Sequence, residues 1–403
     1  MKNKYAYTTL QEKRKNTQRK KVIKQDITKR MIDYLENRYD MRFNTVLGCT
    51  EMRRLGSSED FRTVDERARN TIAIKARLDG IDVWDKDVKR YTDSYMVRSF
   101  NPVSDFIQSV RGKWDRINRI EALASCLPTD TREWTGWFHT WFLGMVAQWM
   151  RLSGTHGNSV APLLISPQGY RKSTFCKLLL PPQLDWGYND NLLIEEKKNT
   201  LLAMSQYLLI NIDEFNAVSQ KVQEGFLKNV LQLADVKIKR PYGKHPMLLP
   251  RMASFIATAN MTDVLTDPSG CRRFIAVTLT APIRLPRSVD YTQLYAQAVD
   301  ELEAGKRYWF NDAETRAIME HNQRYQRRNP LESFFFDSFA LPATASEGEY
   351  MTATRIFTLI RQRVGTQPGL NNLCHFGRML SNIDGLQSKH TLRGTEYLVL
   401  PRV

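Results

Sequence analysis

The stretch LLISPQGYRKSTFCKLLLPP, from Leu163 to Pro182, decides the fold that we predict for this chain of 403 residues. An apolar run stops at a turn, and apolar residues then recur at helical spacing, which predicts a buried strand, a loop and a helix. Such a loop can surround phosphate oxygens with backbone N–H groups, while a lysine binds the terminal phosphates and a hydroxyl binds magnesium. The stretch therefore predicts a nucleotide site formed by Gln168, Gly169, Tyr170, Arg171, Lys172, Ser173 and Thr174.

The loop departs from the usual phosphate-loop pattern, G-x-x-x-x-G-K-[ST], at both of its glycines. Ser166 and Arg171 stand at those positions, so Gly169 is the loop residue that can adopt a positive φ without strain. Lys172 is the expected phosphate ligand, and Ser173 is the expected magnesium ligand. An ordinary connection between a strand and a helix is the alternative interpretation.

Two further apolar strands end in polar residues that suit phosphate chemistry. YLLINIDEFN ends in Asp213, which can hold a metal with its hydration shell, and Glu214, which can polarise a water molecule. SFIATAN ends in Asn260, whose amide can orient an attacking water. Because the carboxyl ends of parallel strands share one edge of a sheet, we expect these groups to meet the loop there. Taken singly, the acids also suit a solvated loop start, and the asparagine suits a turn.

An arginine pair, Arg272 and Arg273 in DPSGCRRFIAVTL, precedes another apolar strand. A guanidinium is always charged and can clamp the charge that develops on a transferred phosphate, and a neighbouring subunit often supplies it. A structural salt bridge and a contact with nucleic acid are the alternatives.

Short apolar strands alternate with helices between Trp134 and Pro282, which predicts an α/β fold with a parallel sheet. We place its strands at Pro162–Ile165, Tyr207–Ile212, Met252–Thr258 and Phe274–Leu279. The predicted domains are a basic tail (1–30), an N-terminal helical domain (31–133), a phosphate-loop domain (134–330) and a winged-helix-like C-terminal domain (331–403).

The winged-helix prediction rests on four segments near the C-terminus. TATRIFTLIRQRV and NNLCHFGRMLSNI have the apolar spacing of helices, and LQSKHTL and TEYLVLPR read as two short strands. Two helices followed by a hairpin are the outline of a winged helix, which suggests contact with duplex DNA.

The charge of the chain favours a polyanionic partner. It has 59 Lys and Arg residues against 43 Asp and Glu residues, a formal net charge of +16, and nucleic acid is the leading candidate. The basic tail is either a solvated arm or a DNA-binding arm.

No membrane partner is expected, because the longest apolar run, WFHTWFLGMVAQWM from Trp137 to Met150, is too short to cross a bilayer and reads as a buried helix. The polar, basic N-terminus resembles no secretory signal, so we expect a cytoplasmic protein. Its five cysteines are scattered, which indicates neither a disulfide framework nor a zinc site.

Several stretches resemble the virulence-associated protein E family and, more broadly, the superfamily 3 helicases of viruses and mobile elements, a branch of the AAA+ ATPases. They are SPQGYRKSTFCKLLLP, LLINIDEFN, RPYGKHPMLLPRMASFIATAN and GCRRF, and NRYDMRFNTVLG, KWDRINRIEAL and NPLESFFFDSF also look like segments of that family. The resemblance covers most of the chain and implies an AAA+-like core that uses ATP and Mg²⁺. Position by position, it implies phosphate-loop roles for Lys172 and Ser173, metal-holding and water-activating roles for Asp213 and Glu214, a sensor role for Asn260 and an arginine-finger role for Arg273.

The resemblance also implies an assembly and a DNA contact. In superfamily 3 helicases a hairpin before the sensor strand grips single-stranded DNA in the channel of a hexameric ring, and KIKRPYGKHPMLL resembles it, with Lys244 and His245 at its tip. Because no segment has a convincing paired-acid primase pattern, a primase, if one is needed, would be a separate chain.

These observations lead to an ATP-driven DNA helicase or translocase of a mobile element as the main hypothesis. One alternative is a sequence-specific DNA-binding initiator or regulator that uses ATP only as an assembly switch. Another is an ATPase of an anti-phage or virulence module that acts on a protein.

Overall fold

The computed structural model describes residues 26–152, 154, 157–194, 196–239, 245–266, 271–327, 330–342, 344, 346–365, 370, 372–392 and 394–402. The described residues form two compact units. The first unit is drawn from Met1–Asn260 and Arg272–Ile318, and the second from Met261–Cys271 and Met319–Val403. Most of the predicted basic tail, 1–30, lies outside the described residues.

The first unit begins with a small module of helices and strands. Its four-stranded sheet has the order β3-β2-β1-β4, with β1 and β4 parallel and the other neighbours antiparallel. In chain order the elements are α1 (26–36), β1 (Tyr39–Asn44), β2 (Cys49–Arg54), β3 (Arg62–Thr63), α2 (Glu66–Leu78), α3 (Asp85–Thr92) and β4 (Ser99–Phe100).

The prediction of a helical domain over 31–133 is therefore wrong for its first third. Tyr39, Met41 and Phe43 alternate along β1 toward the core of the module, which is the period of a strand. Gly48, with a φ of 70°, turns the chain from β1 into β2. The strands are only six residues long, and the helical spacing of the longer segments around them dominated the prediction.

Three helices precede the large sheet: α4 (Pro102–Val110), α5 (Arg119–Ala124) and α6 (Trp134–Trp149). Asn101 and Asn118 begin the first two, each accepting hydrogen bonds from backbone N–H groups of the first turn. α6 is apolar nearly all round and is buried almost throughout, so the longest apolar run forms a core helix, as predicted. Across the described residues, no helix is both long and apolar enough to cross a membrane.

The large sheet of the first unit has five parallel strands in the order β11-β5-β10-β7-β6. The elements around it, in chain order, are β5 (Ala161–Ile165), α7 (Lys172–Leu178), β6 (Tyr188–Asn189), α8 (Lys197–Gln206), β7 (Leu209–Ile212), α9 (Lys228–Val230), β8 (Asp235–Ile238), β9 (Met247–Pro250), β10 (Ser254–Ala259), β11 (Phe274–Thr278), α10 (Tyr291–Glu303) and α11 (Asp312–Asn322). β8 and β9 form a separate antiparallel pair. The four predicted strands and the parallel sheet are confirmed, with strand ends shifted by no more than two residues.

The second unit has its own core, formed by residues such as Phe335, Ile356, Phe376 and Val399. β15 pairs antiparallel with β12, β13 and β14, and Gly394, with a φ of 106°, lies at the turn between β14 and β15. The predicted helix pair and hairpin are present. The elements are α12 (Pro330–Ser338), β12 (Phe339–Ala340), β13 (Glu349–Thr352), α13 (Ala353–Val364), α14 (Leu373–Ser381), β14 (Ser388–Thr391) and β15 (Gly394–Pro401).

Candidate nucleotide-binding site

The loop from Ser166 to Arg171 connects the carboxyl end of β5 to the first turn of α7. The N–H of Ser166 donates to the carbonyl of Ala259 at the end of β10 (3.2 Å), and the carbonyl of Tyr170 accepts from the N–H of Ile283 (3.2 Å). Both ends of the loop are therefore bound to the sheet region, and the exposed middle of the loop faces solvent.

The loop needs a positive φ at two residues, and only one of them is a glycine. Gly169 has a φ of 84°, and Arg171, at the second glycine position of the usual pattern, has a φ of 65° and a ψ of 26°. A residue with a Cβ pays about 1 to 2 kcal/mol in this left-handed region. Ser166, at the first glycine position, has no positive φ, so its side chain is accommodated without that cost.

Lys172 is turned back over the loop and is only 8% exposed. Its Nζ donates to the carbonyls of Ser166 (2.7 Å) and Pro167 (3.2 Å), to the Ser166 hydroxyl (3.0 Å) and to Oδ1 of Asn260 (3.1 Å). Burial lowers the pKa of Lys172, although the nearby carboxylate of Asp213 acts in the opposite direction. The ammonium is thus held at the point where β5, the loop and β10 meet.

The two acids follow β7 directly and are exposed. The hydroxyl of Thr258, on the neighbouring strand β10, donates a short hydrogen bond to Oδ1 of Asp213 and so orients this carboxylate. Glu214 has a φ of 50°, a conformation that a residue with a Cβ rarely adopts. Such strain recurs at functional sites, where the surrounding structure maintains it.

Asn260 follows β10, which lies between β5 and β7 in the sheet. Its side chain contacts Lys172 on one side, and its backbone N–H lies 3.4 Å from Oδ1 of Asn216, which comes from the turn after the acids. The strand order therefore brings the lysine, the asparagine and the first acid to one edge, as the sequence predicts for the ends of parallel strands.

The donor set at this edge suits Mg²⁺ bound together with phosphate. Ser173 and Asp213 are both exposed, and each carries an oxygen of the kind that Mg²⁺ can bind. No three side chains among His, Cys, Asp and Glu cluster as a ready-made metal site in the described parts of the chain. This agrees with the coordination of Mg²⁺ in phosphate sites, where one or two protein oxygens are completed by water and substrate phosphate.

Arg273 lies at the amino ends of the parallel strands, opposite to the phosphate loop. Its carbonyl accepts from the N–H of Ala161 at the start of β5 (2.8 Å), five residues before the loop, which corresponds to about 16 Å along a strand. Its side chain is 7% exposed, whereas that of Arg272 is exposed. Arg273 is therefore the one predicted catalytic residue that lies away from the phosphate loop of its own chain.

The predicted DNA-binding hairpin corresponds to β8 and β9. His245 is exposed between the two strands, and Lys244 lies outside the described residues.

The sequence reasoning missed three residues that complete the site: Ser166 as a ligand of Lys172, Thr258 as a partner of Asp213, and Asn216. A signal for Thr258 was present, because it stands two residues before Asn260 and alternate residues of a strand share a face. The contact of Asn216 depends on the geometry of the turn after the acids, which no local sequence pattern predicts.

Two protein families match consecutive parts of this chain. The model of the virulence-associated protein E-like domain matches residues 107–327, and that of DUF3874, a domain of unknown function described from a B. Theta gene, matches residues 328–399. No curated protein matches the chain. Solved structures that it resembles include the apo structure of the NrS-1 C-terminal region (305–718), with 12% identity and a TM-score of 0.46. The A form of that apo structure has 12% identity and a TM-score of 0.45, and each comparison covers 90% of this chain and 96% of the other.

Proposed function

Because the chain belongs to the virulence-associated protein E-like domain family, we propose that it is an ATP-driven helicase or translocase that acts on DNA in the replication of a mobile element. One observation carries the proposal. A lysine in a phosphate-type loop, a strand-end asparagine and a strand-end aspartate converge on one edge of a parallel sheet, with 3.1 Å between Lys172 Nζ and Asn260 Oδ1.

In this proposal the loop and its lysine bind the phosphates of ATP. Exposed backbone N–H groups of the loop surround the oxygens, and the ammonium of Lys172 exchanges its bonds to the loop carbonyls for bonds to the terminal phosphates. Ser173 and Asp213 hold Mg²⁺, which neutralises charge on the phosphates when it is bound. The hydrogen bond from Thr258 keeps the aspartate carboxylate in position for this role.

Glu214 and Asn260 act on the attacking water. The exposed carboxylate of Glu214 accepts a proton from the water, and the Asn260 amide orients it. The side chain of Asn260 is bound to Lys172, so the group that orients water and the group that binds phosphate are held in one arrangement.

The position of the arginine pair favours a site shared between subunits. Arg273 and Arg272 lie at the edge of the sheet opposite to the loop, too far away to serve their own ATP. An arginine from one subunit can instead reach the loop of the next in a ring, and of this pair Arg272 is the exposed side chain whereas Arg273 is 7% exposed. We propose a homo-oligomeric ring, a hexamer as in the superfamily 3 helicases that the sequence resembles.

DNA would be bound at two further places. The hairpin of β8 and β9, with His245 exposed and Lys244 beside it in the sequence, would grip single-stranded DNA in the channel. The helix pair and hairpin of the second unit have the winged-helix order of elements and would contact duplex DNA. The net charge of +16 supports a nucleic-acid partner for both.

Steady-state ATP hydrolysis, measured with and without single-stranded DNA, tests the proposal. Lys172→Ala and Glu214→Gln should each lower kcat by about 10² to 10³-fold, because each removes a group that contacts the reacting phosphate or water. Lys177→Ala is the matched control, since Lys177 is an exposed lysine on the same short helix. Its turnover should equal that of the wild type.

Two outcomes would redirect the proposal. Turnover that survives in Lys172→Ala would refute the assignment of the phosphate loop. ATP binding without turnover in the wild type, together with sequence-specific DNA binding, would support the initiator that uses ATP only as an assembly switch.

A further inference from the structure

A groove of about 450 Å³ runs between the β2–β3 edge and α2 in the N-terminal module, outside the residues that the family model matches. Four cationic side chains line it, and we call it the basic groove after them: Arg54, Arg62, Arg67 and Lys75. All four are exposed. The buried side chains of Met52 and Ile72 form its apolar floor.

The cations lie in two rows that face each other across the floor. Arg67 and Lys75 are eight residues apart on α2, two steps of four, so they share one face of the helix and are separated by about 12 Å. Arg62 on β3 pairs with Met52 in the sheet register, and Arg54 follows two residues further along β2. Positive charge therefore lines the groove from both the helix and the strands.

None of the four cations has a carboxylate partner among the described residues. The contrast lies in the same sheet, where Arg42 binds Glu51 (2.7 Å) and Arg53 binds Asp40 (2.9 Å). The one acid in the lining, Asp65, uses its carboxylate to accept from the N–H of Ala68 at the start of α2 (2.7 Å). The groove thus holds positive charge that the fold itself does not neutralise.

We propose that the basic groove binds the phosphate backbone of DNA, as a contact separate from the ATP site. Each strand of B-form DNA presents about one phosphate per 3.4 Å of axis, so a row of about 12 Å spans three to four phosphates. Arginine and lysine contacts with phosphate carry affinity without reading bases, so the binding is independent of sequence. The inference rests on the proposed function in one respect, the identity of the partner as DNA.

This contact would hold DNA at all stages of the ATP cycle. The lining residues belong to a module with a hydrophobic core of its own, and none of them contacts the candidate nucleotide site. Replacing the four cations of the basic groove should weaken DNA binding and leave ATP hydrolysis without DNA unchanged.

The test compares two full-length variants that lose the same charge. The groove variant carries Arg54→Ala, Arg62→Ala, Arg67→Ala and Lys75→Ala. The control carries Lys86→Ala, Lys113→Ala, Arg132→Ala and Arg287→Ala, four exposed cations that lie outside the groove and have no carboxylate partner among the described residues. Fluorescence anisotropy with labelled single-stranded and duplex oligonucleotides, without nucleotide and over a series of salt concentrations, gives Kd and its salt dependence.

The groove variant should bind at least about tenfold more weakly near 100 mM salt, and the slope of log K against log salt should become shallower by about 3 to 4. The control should change the slope by less than about 1. The form of DNA on which the loss is larger identifies the form that the groove holds.

Equal affinities and slopes for the two variants would overturn the basic groove while leaving the ATPase proposal intact, since ATP hydrolysis without DNA is measured on the same preparations. Failure of the wild type to bind any DNA would overturn the groove and the DNA partner together. Loss of DNA-free ATP turnover in the groove variant alone would show that the groove is not a separate contact.

Discussion

Two buried cations, Lys172 and Arg251, lie at opposite ends of the strands of the same parallel sheet, and both are held by backbone carbonyls. Lys172 binds the carbonyls of Ser166 and Pro167 at the carboxyl edge. Arg251, at the amino edge, is 1% exposed, and it binds four carbonyls between 2.7 and 3.1 Å. These belong to Asn158, Leu231, Leu233 and Ala253.

The difference lies in what surrounds each cation. All three nitrogens of the Arg251 guanidinium donate to carbonyls, so the side chain joins three chain segments that lead into the sheet. Burial lowers the pKa of Arg251 to about 9, and it remains charged at neutral pH. Lys172 lies beside an exposed aspartate and an exposed loop, where its ammonium can change partners. A buried cation therefore indicates a binding site when its neighbours are accessible and a structural tie when they are enclosed.

Gly157 shows how closely the chain packs around Arg251. A Cβ at this position would lie 2.6 Å from Nη1 of Arg251 and 2.4 Å from the carbonyl oxygen of Leu233. A larger residue would displace backbone as well as the guanidinium, so we attribute this glycine to close approach rather than to φ.

The largest expected effect is the loss of stability in Arg251→Met, compared with the same substitution made separately at Lys172. Arg251→Met removes the guanidinium donors from four carbonyls, of which that of Ala253 keeps a hydrogen bond from Gln148, and it should lower the free energy of unfolding by about 3 to 5 kcal/mol. Lys172→Met should change it by no more than about 1 kcal/mol, because burial already penalises the charged lysine in the folded state. Urea unfolding followed by circular dichroism measures both values.

Equal losses of stability in the two variants would show that the two cations do not differ in structural role. Arg251→Lys should recover only part of the loss, since one ammonium cannot reach carbonyls on three segments at once.

A smaller effect is expected at Thr258, which contacts Asp213 and would not itself contact the phosphate. Thr258→Val keeps the branched shape and removes the hydrogen bond to Asp213, so we expect the Mg²⁺ concentration for half-maximal ATP hydrolysis to rise about 3- to 10-fold. Thr200→Val, a buried threonine on α8, is the control and should leave the Mg²⁺ dependence unchanged. An unchanged Mg²⁺ requirement in Thr258→Val would mean that Asp213 does not hold the metal.

The smallest effect concerns the left-handed residue of the loop. Arg171→Gly removes the strain of a φ of 65°, whereas Arg171→Ala keeps the strain and removes only the charge. The free energy of unfolding, measured with urea, should therefore be about 1 kcal/mol higher for the glycine variant than for the alanine variant. If the alanine variant is the more stable, the positive φ is not a cost in this loop.

The strands of the large sheet, the loop after β5 and the residue types at the strand ends could all be predicted from the amino-acid sequence. These follow from local patterns, because an apolar run bounded by polar residues has few ways to be buried. The same local patterns indicated the helix pair and hairpin of the C-terminal segment. They failed for β1 and β2, which have six residues each and are short beside the helices that flank them.

Which strand ends meet could be read only from the folded chain. Lys172 and Asn260 are 88 residues apart in the chain and 3.1 Å apart in space because β10 inserts between β5 and β7. The burial of Arg251, the left-handed turn at Arg171 and the opposite position of Arg273 also depend on the packing of distant segments. The physical reason is that spacing in a sequence fixes which face of its own element a side chain occupies. Strand order and the contacts across it come from long-range burial, which no local pattern records.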